Sequence, residues 1–335
     1  MRGPVGAAGE QTEWGIGRRW IVVGKVAGYS AALAMSLYLL VKVIWIVVGL
    51  LGNGPDDMGT AAWVVLNAVT VGMSAIGVTV ALALTQNWGR RLPARPLIFF
   101  AWVGGGFLVP MLPYLVISGI LTALRGGDPA PAGEGFLIGF GFLGMAAGLA
   151  VALPIYLRQR WPVAFQGRLE DRPGRPSWFP LLAVAVTVAL GLLWLSWAVG
   201  GTLGITPAHR AGGGDLNDRL LDGSAGLWAL VGGWSVWAFD HHRPARLPRW
   251  VPMSLAFTAS GSLFAWGCWK LPMAIIRPAG YVAVDYPAVA VVQHTLSIVV
   301  GAAMLATVLS AALDRRQVAD DDGRRQGWTG GEPRG

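Results

Sequence analysis

Residues 28–51 read GYSAALAMSLYLLVKVIWIVVGLL and contain one charged residue, Lys42. About 20 apolar residues in a helix are enough to cross the ~30 Å hydrocarbon core of a bilayer. The apolar stretch from Trp20 to Gly52, which contains this run, is too long for a signal peptide and lacks a small-residue cleavage site, so we expect it to remain as a first membrane span. Because an open sheet would leave backbone groups unpaired in lipid, the span is predicted to be helical.

Seven further apolar runs follow along the chain, which predicts an all-α polytopic transmembrane bundle of about eight helices. Hydrophobic residues make up 54% of the sequence and charged residues 13%, whereas charge approaches a quarter of a typical soluble domain. The predicted spans are 28–51, 61–85, 97–121, 136–157, 178–203, 220–239, 251–271 and 287–313.

Basic residues alternate between the connectors of these runs. Twenty lysines and arginines lie on the termini and on every second connector, and four lie on the other connectors: Arg125, Arg210, Arg219 and Arg277. Cytoplasmic segments of membrane proteins carry the excess of positive charge. The sequence therefore predicts a plasma-membrane protein with both termini in the cytoplasm, and the net charge of +8 reflects this topology rather than binding to nucleic acid.

Two short stretches indicate a tandem duplication. Residues 45–55 (WIVVGLLGNGP) match residues 197–207 (WAVGGTLGITP) at six of eleven positions, and Arg91-Leu-Pro93 is repeated at Arg246-Leu-Pro248. A unit of four helices keeps its orientation when it is copied, so the copies would be related by an axis along the membrane normal. The predicted order is a cytoplasmic segment (1–27), a first four-helix repeat (28–157), an arginine-rich cytoplasmic linker (158–177), a second four-helix repeat (178–313) and a disordered cytoplasmic tail (314–335).

Two motifs carry a resemblance. Residues 193–204 (LWLSWAVGGTLG) and 87–93 (NWGRRLP) resemble uncharacterised multi-pass membrane proteins of actinobacteria, and the richness in alanine, glycine, arginine and proline is similar to theirs. That family implies a membrane bundle and brings no activity with it.

Polar residues inside the predicted spans are the candidate functional groups. A lysine at the bilayer centre costs about 2.5–3.5 kcal/mol, so Lys42 either extends to the outer interface or faces an anion or a carboxylate in a cavity. His294 lies about seven residues into the last span, beside Gln293. It is either a neutral histidine that bonds a neighbouring helix or part of a proton relay. Lys42, Gln293 and His294 form the predicted intramembrane polar site.

The third run contains residues that interrupt helices. Proline removes a backbone donor, and interrupted spans are the best sequence indication of a transporter site. Close helix packing is the other explanation for the glycines, as it is for Gly144 and Gly148 in the fourth run. The predicted break consists of Gly104, Gly105, Gly106, Pro110 and Pro113.

The sequence does not match known catalytic motifs, phosphate-binding loops or dinucleotide fingerprints, so an intramembrane enzyme is the least favoured function. Cys268 is the single cysteine, and no cofactor or metal is predicted. The favoured function is a small transporter or permease-like bundle in which Lys42, His294 and the break converge on one cavity. The alternative is a structural or regulatory membrane protein. The expected partners are the lipid bilayer and either another membrane protein or a second copy of the chain, but not nucleic acid.

Overall fold

The computed structural model describes residues 17–53, 59–124, 134–165, 167–169, 178–207, 216–277 and 285–329. Within these ranges the protein is all-helical, and its extended backbone is limited to two isolated bridges, Arg168–Pro248 and Ile205–Asp285. The helices are α1 (Arg18–Leu50), α2 (Thr60–Thr85), α3 (Ala94–Leu108), α4 (Leu112–Leu124), α5 (Glu134–Arg160), α6 (Pro162–Phe165), α7 (Trp178–Ala198), α8 (Leu216–His241), α9 (Trp250–Ile276) and α10 (Pro287–Thr329).

Each of the eight predicted apolar runs forms a helix. The third run is divided between two helices, α3 and α4. Six of these helical units in the described chain are long and apolar enough to cross a membrane: α1, α2, α3 with α4, α5, α7 and α10. The other two, α8 and α9, have 26 and 27 residues. Their composition is more polar, since α8 carries Asp218 and Asp222 in its first two turns and α9 carries Lys270 near two tryptophans.

Several helix ends differ from the sequence expectation. Helix α1 begins at Arg18, ten residues before its predicted run, and α9 continues five residues beyond its own. Helix α7 stops at Ala198, five residues before the end of its apolar run, and Gly200 and Gly204 adopt positive φ angles of +94° and +78° in the turn that follows. Glycine takes such angles without steric cost. Helix α10 continues to Thr329, so residues 314–329 are helical where a disordered tail was expected, and residues 330–335 lie outside the described part.

The first half of the chain is built around α1, which packs along both α2 and α5. Small residues allow the contact between α1 and α5: a Cβ at Gly144 would lie 2.5 Å from the Cβ of Ala34, and one at Gly148 would lie 2.5 Å from the Cβ of Ala31. Van der Waals packing of this kind holds helices together in lipid, where no hydrophobic force drives association. The structure thus confirms the packing role predicted for these two glycines.

The second half is built around α9, which packs against α8, α10 and also α3 of the first half. Gly106 of α3 faces the backbone of Gly261 in α9 so closely that a Cβ on Gly106 would collide with it. Beside this contact the fully buried Trp102 donates a hydrogen bond from Nε1 to Ser260 Oγ, 2.9 Å away. The crossing of α3 and α9 is therefore a close backbone contact between the two halves.

The two halves share one helix pairing and differ in another. Helix α1 packs along α2 as α7 packs along α8, but the fourth helix of the first half lies along α1, whereas that of the second half lies chiefly along α9. The matched tryptophans also differ, since the carbonyl of Trp45 accepts a bond from Trp63 Nε1 and Trp197 donates from its own ring to Leu203 O.

Candidate functional site

One cavity is lined by several polar and charged side chains of the second half. It has a volume of about 320 Å³ and lies between the last turns of α7 and α9, the first turns of α8 and α10, and the junction of α3 with α4. We call it the Asp285 cavity. Its polar lining includes Asp218, Asp222, Lys270, Asp285, Gln293, His294 and three serines at 224, 262 and 297.

Gln293 is the centre of the hydrogen bonding in this cavity. Its side chain is 4% exposed, accepts a bond from Trp194 Nε1 at 2.7 Å and donates its amide to the carboxylate of Asp285. A buried polar group costs free energy unless it is hydrogen-bonded, and Gln293 has partners for both ends of its amide. The three side chains tie α7, α10 and the segment before α10 together.

Asp285 is held at the rim by backbone contacts. It pairs with Ile205 in an isolated bridge, and the next residue, Tyr286, donates its N–H to Gly204 O at 2.9 Å. The turn after α7 therefore positions the carboxyl, which is 7% exposed. Burial raises the pKa of Asp285 above its usual value, while its own backbone amide, Gln293 and the charge of Lys270 act in the opposite direction.

The raised pKa of the Asp285 carboxyl makes the stability of the folded protein depend on pH. A folded-state pKa above the unfolded value of about 3.8 means that the stabilising contribution of Asp285 is complete below that pH and is lost as the pH rises through the folded pKa. We expect Asp285→Asn to gain stability relative to the unmodified protein as the pH rises above about 4. Paired thermal unfolding curves in the same buffers measure this difference, and a difference that stays constant with pH would contradict it.

Aromatic rings form the walls of the cavity. Trp194, Trp197, Trp266 and Trp269 all line it. Trp266 stacks on Phe107 of α3 with ring centroids 4.3 Å apart and donates Nε1 to the Phe107 carbonyl at 3.2 Å. The ammonium of Lys270 lies 5.8 Å from the centroid of the Trp266 ring. The lining thus presents flat apolar faces next to groups of both charges.

The helix break predicted in the third run is narrower than expected and reaches the cavity. Residues 104–106 lie within the regular helix α3, and Pro113 lies in the first turn of α4. The interruption is a 3₁₀ turn, Val109–Met111. Pro110 lines the Asp285 cavity, and its carbonyl accepts a bond from Ser224 Oγ of α8 at 2.6 Å.

Lys42 does not line the cavity that contains Gln293 and His294. Its ammonium lies 3.9 Å from the centroid of the Trp45 ring and 5.6 Å from that of Tyr38, both on the same helix. A cation over an aromatic face is stabilised by about 0.5–2 kcal/mol, which lowers the cost of placing a lysine here. The structure therefore brings together Gln293, His294 and Pro110, and places Lys42 apart from them.

Among the described residues, the histidines do not all lie together. His294 lines the Asp285 cavity, whereas His241 contacts the Trp237 carbonyl at the opposite end of α8. In the described ranges no group of three or more histidine, cysteine, aspartate or glutamate side chains could hold a metal ion.

No protein-family model, curated protein or solved structure matches this chain. The resemblance to actinobacterial membrane proteins stays a prediction.

Proposed function

We propose that the chain is an integral protein of the plasma membrane that crosses it eight times, with both termini in the cytoplasm. Six helical units have the required length and composition. Helices α8 and α9 are also long enough, since 26 residues extend about 39 Å at 1.5 Å per residue. The distribution of basic residues supports the orientation, which would place the Asp285 cavity on the outer side.

We propose that the protein is a permease-like bundle and that the Asp285 cavity receives its solute. The observation that carries this proposal is the bonded set Asp285–Gln293–Trp194, buried within a helical bundle beside a broken helix. Polar groups inside membrane bundles are costly and are characteristic of solute pathways. Because the lining combines tryptophan faces, carboxyls and one ammonium, it suits a small hydrogen-bonding solute with an apolar face.

We also propose the tandem repeat of four helices as the origin of the bundle. The two Arg-Leu-Pro motifs support it, because each leucine carbonyl accepts one bond from the region that joins the halves. Arg160 Nη2 donates to Leu92 O at 3.0 Å, and the Leu169 amide donates to Leu247 O at 3.2 Å. The different packing of the fourth helices would then have arisen after duplication.

Cysteine accessibility tests the position of the cavity. In a Cys268→Ser background, Ser262→Cys places a thiol in the cavity, and Ser235→Cys places one at a fully buried site whose hydroxyl bonds only its own helix. We expect a membrane-impermeant thiol reagent, added to intact cells, to label position 262 and not position 235. Labelling of neither would exclude a water-filled outer cavity and favour a structural or regulatory role.

Solute binding tests the function itself. The four tryptophans of the lining should report a bound solute through their fluorescence. Glucose, glycine, choline and succinate sample the neutral, zwitterionic, cationic and anionic classes. We expect a saturable change with one class and its loss in Gln293→Leu. If the unmodified protein and Gln293→Leu gave the same fluorescence response to every class of solute, binding at this cavity would be contradicted.

A further inference from the structure

A second cavity lies at the opposite end of the bundle, in the first half of the chain. It has a volume of about 480 Å³ and lies between the start of α1, the end of α2 and the end of α5. We call it the Arg90 cleft. Ile21, Leu84, Ala152 and Ile155 contribute its apolar lining, and Lys25, Gln86, Asn87, Arg90 and Gln159 contribute polar side chains.

The charged side chains of the described lining are both basic. Lys25 and Arg90 border the cleft, and in the described part of the chain neither aspartate nor glutamate lines it. Amide groups of Gln86, Asn87 and Gln159 add neutral hydrogen-bond donors beside the two cations. This combination is chemically suited to an anionic oxygen group, and to phosphate in particular.

The segment that carries Arg90 is held in place. Arg160 of α5 donates from Nη1 to Gly89 O at 3.2 Å, and the hydroxyl of Tyr156 contacts the same carbonyl at 3.3 Å. A Cβ at Gly89 would collide with the Ala83 carbonyl, so the short 3₁₀ turn lies tightly against the end of α2. Arg90 Nη2 donates to Gln159 Oε1 at 3.2 Å, which orients the guanidinium at the edge of the cleft. Contacts within the protein therefore hold both the turn and the Arg90 guanidinium.

The surroundings of the cleft are those of a membrane–water interface. Trp20 and Trp88 lie near it and are 60% and 36% exposed. Val22 and Val26, on the turns of α1 next to the cleft, are also exposed. Tryptophan is enriched at the level of lipid headgroups, and exposed apolar residues below it fit acyl chains.

We propose that the Arg90 cleft binds one anionic phospholipid, with the headgroup phosphate between Lys25 and Arg90 and an acyl chain against Ile21 and Ile155. Basic pockets between membrane helices suit anionic headgroups for electrostatic reasons. A free phosphate would use the cations alone, whereas a lipid also covers the apolar lining. This site is separate from the Asp285 cavity and does not depend on the solute proposed there.

Native mass spectrometry of the full chain in neutral detergent tests the proposal. Phosphatidylglycerol and phosphatidylcholine with the same acyl chains are titrated against the protein, Lys25→Gln, Arg90→Gln and the double variant. We expect tighter binding of phosphatidylglycerol, weakened about fivefold by each single change and about 30-fold by both, since a basic residue near a lipid surface contributes about 1 kcal/mol. Arg91→Gln is the matched control, because Arg91 is exposed, adjacent and not part of the lining.

Three outcomes would overturn the proposal. Equal weakening by Arg91→Gln would mean that diffuse surface charge attracts the lipid. Equal affinity for phosphatidylcholine would remove the role of the two cations. Glycerol phosphate binding as tightly as phosphatidylglycerol would assign the cleft to a soluble phosphate compound. All three altered side chains are exposed, so the variants should remain folded, and a size-exclusion profile checks this.

Discussion

Gly106→Ala should destabilise the bundle strongly, whereas Gly104→Ala, two residues earlier on the same helix, should leave stability unchanged or raise it. The added methyl group at position 106 would collide with the backbone of Gly261, which cannot move without shifting α9. A methyl group at position 104 would meet no atom within 4 Å. Overpacking costs about 1–3 kcal/mol or more, while alanine in place of a helical glycine gains about 0.5–1 kcal/mol.

Thermal unfolding of the detergent-solubilised protein measures the stability of both variants. Gly261→Ala tests the same contact from the side of α9. A Cβ there would lie 2.5 Å from the Trp102 carbonyl, so Gly261→Ala should also be destabilised. Similar losses for positions 104 and 106 would mean that the glycines provide flexibility rather than close packing.

The role of the three glycines at residues 104–106 could not be predicted from the sequence alone. Three consecutive glycines followed by two prolines are compatible with either an unwound segment or a close contact, because both need small residues. The structure assigns close packing to Gly106 and the interruption to residues 109–111. Only the position of Gly261, 155 residues later, distinguishes the two explanations.

The helices themselves could be predicted because the sequence contains long apolar runs that are bounded by polar and charged residues. The apolar runs and the observed helices agree to within a few residues at most boundaries. The extension of α10 to Thr329 was missed because residues beyond 313 are polar, and a polar composition alone does not prevent helix formation. The pairing of helices was not predictable, since small residues occur on several faces of each.

The candidate site was predicted in part. Gln293 and His294 were identified because polar residues in an apolar run are costly. The same rule identified Lys42, which lies elsewhere, because a local signal does not say which helices meet. The importance of Trp194 and Lys270 follows only from the tertiary structure. Tryptophans near helix ends are expected at interfaces, so nothing in the sequence distinguishes Trp194 as the donor to Gln293.

Gln293→Leu should have a large effect on both stability and solute binding. The change removes the acceptor of Trp194 Nε1 and the amide that donates to Asp285, and leucine restores neither bond. Leaving a buried polar group without its partner costs about 1–3 kcal/mol, so we expect a loss of about 3 kcal/mol in the free energy of unfolding.

Ser297→Ala is the matched control, since Ser297 lines the same cavity but its hydroxyl bonds only the Gln293 backbone carbonyl at 2.7 Å. Such a bond within a helix contributes little, so this variant should stay within about 0.5 kcal/mol of the unmodified protein.

A double-mutant cycle with Trp194→Phe separates the hydrogen bond from the packing of the side chain. Phenylalanine removes the Nε1 donor, so Gln293→Leu should cost about 1 kcal/mol less in that background than in the unmodified protein. A coupling energy near zero would mean that the Trp194–Gln293 bond does not hold α7 to α10, even if both single variants are unstable. The fluorescence response to solute should be lost in Gln293→Leu and kept in Ser297→Ala. Because the two side chains lie one turn apart on the same wall of the cavity, this difference would assign solute recognition to the amide of Gln293.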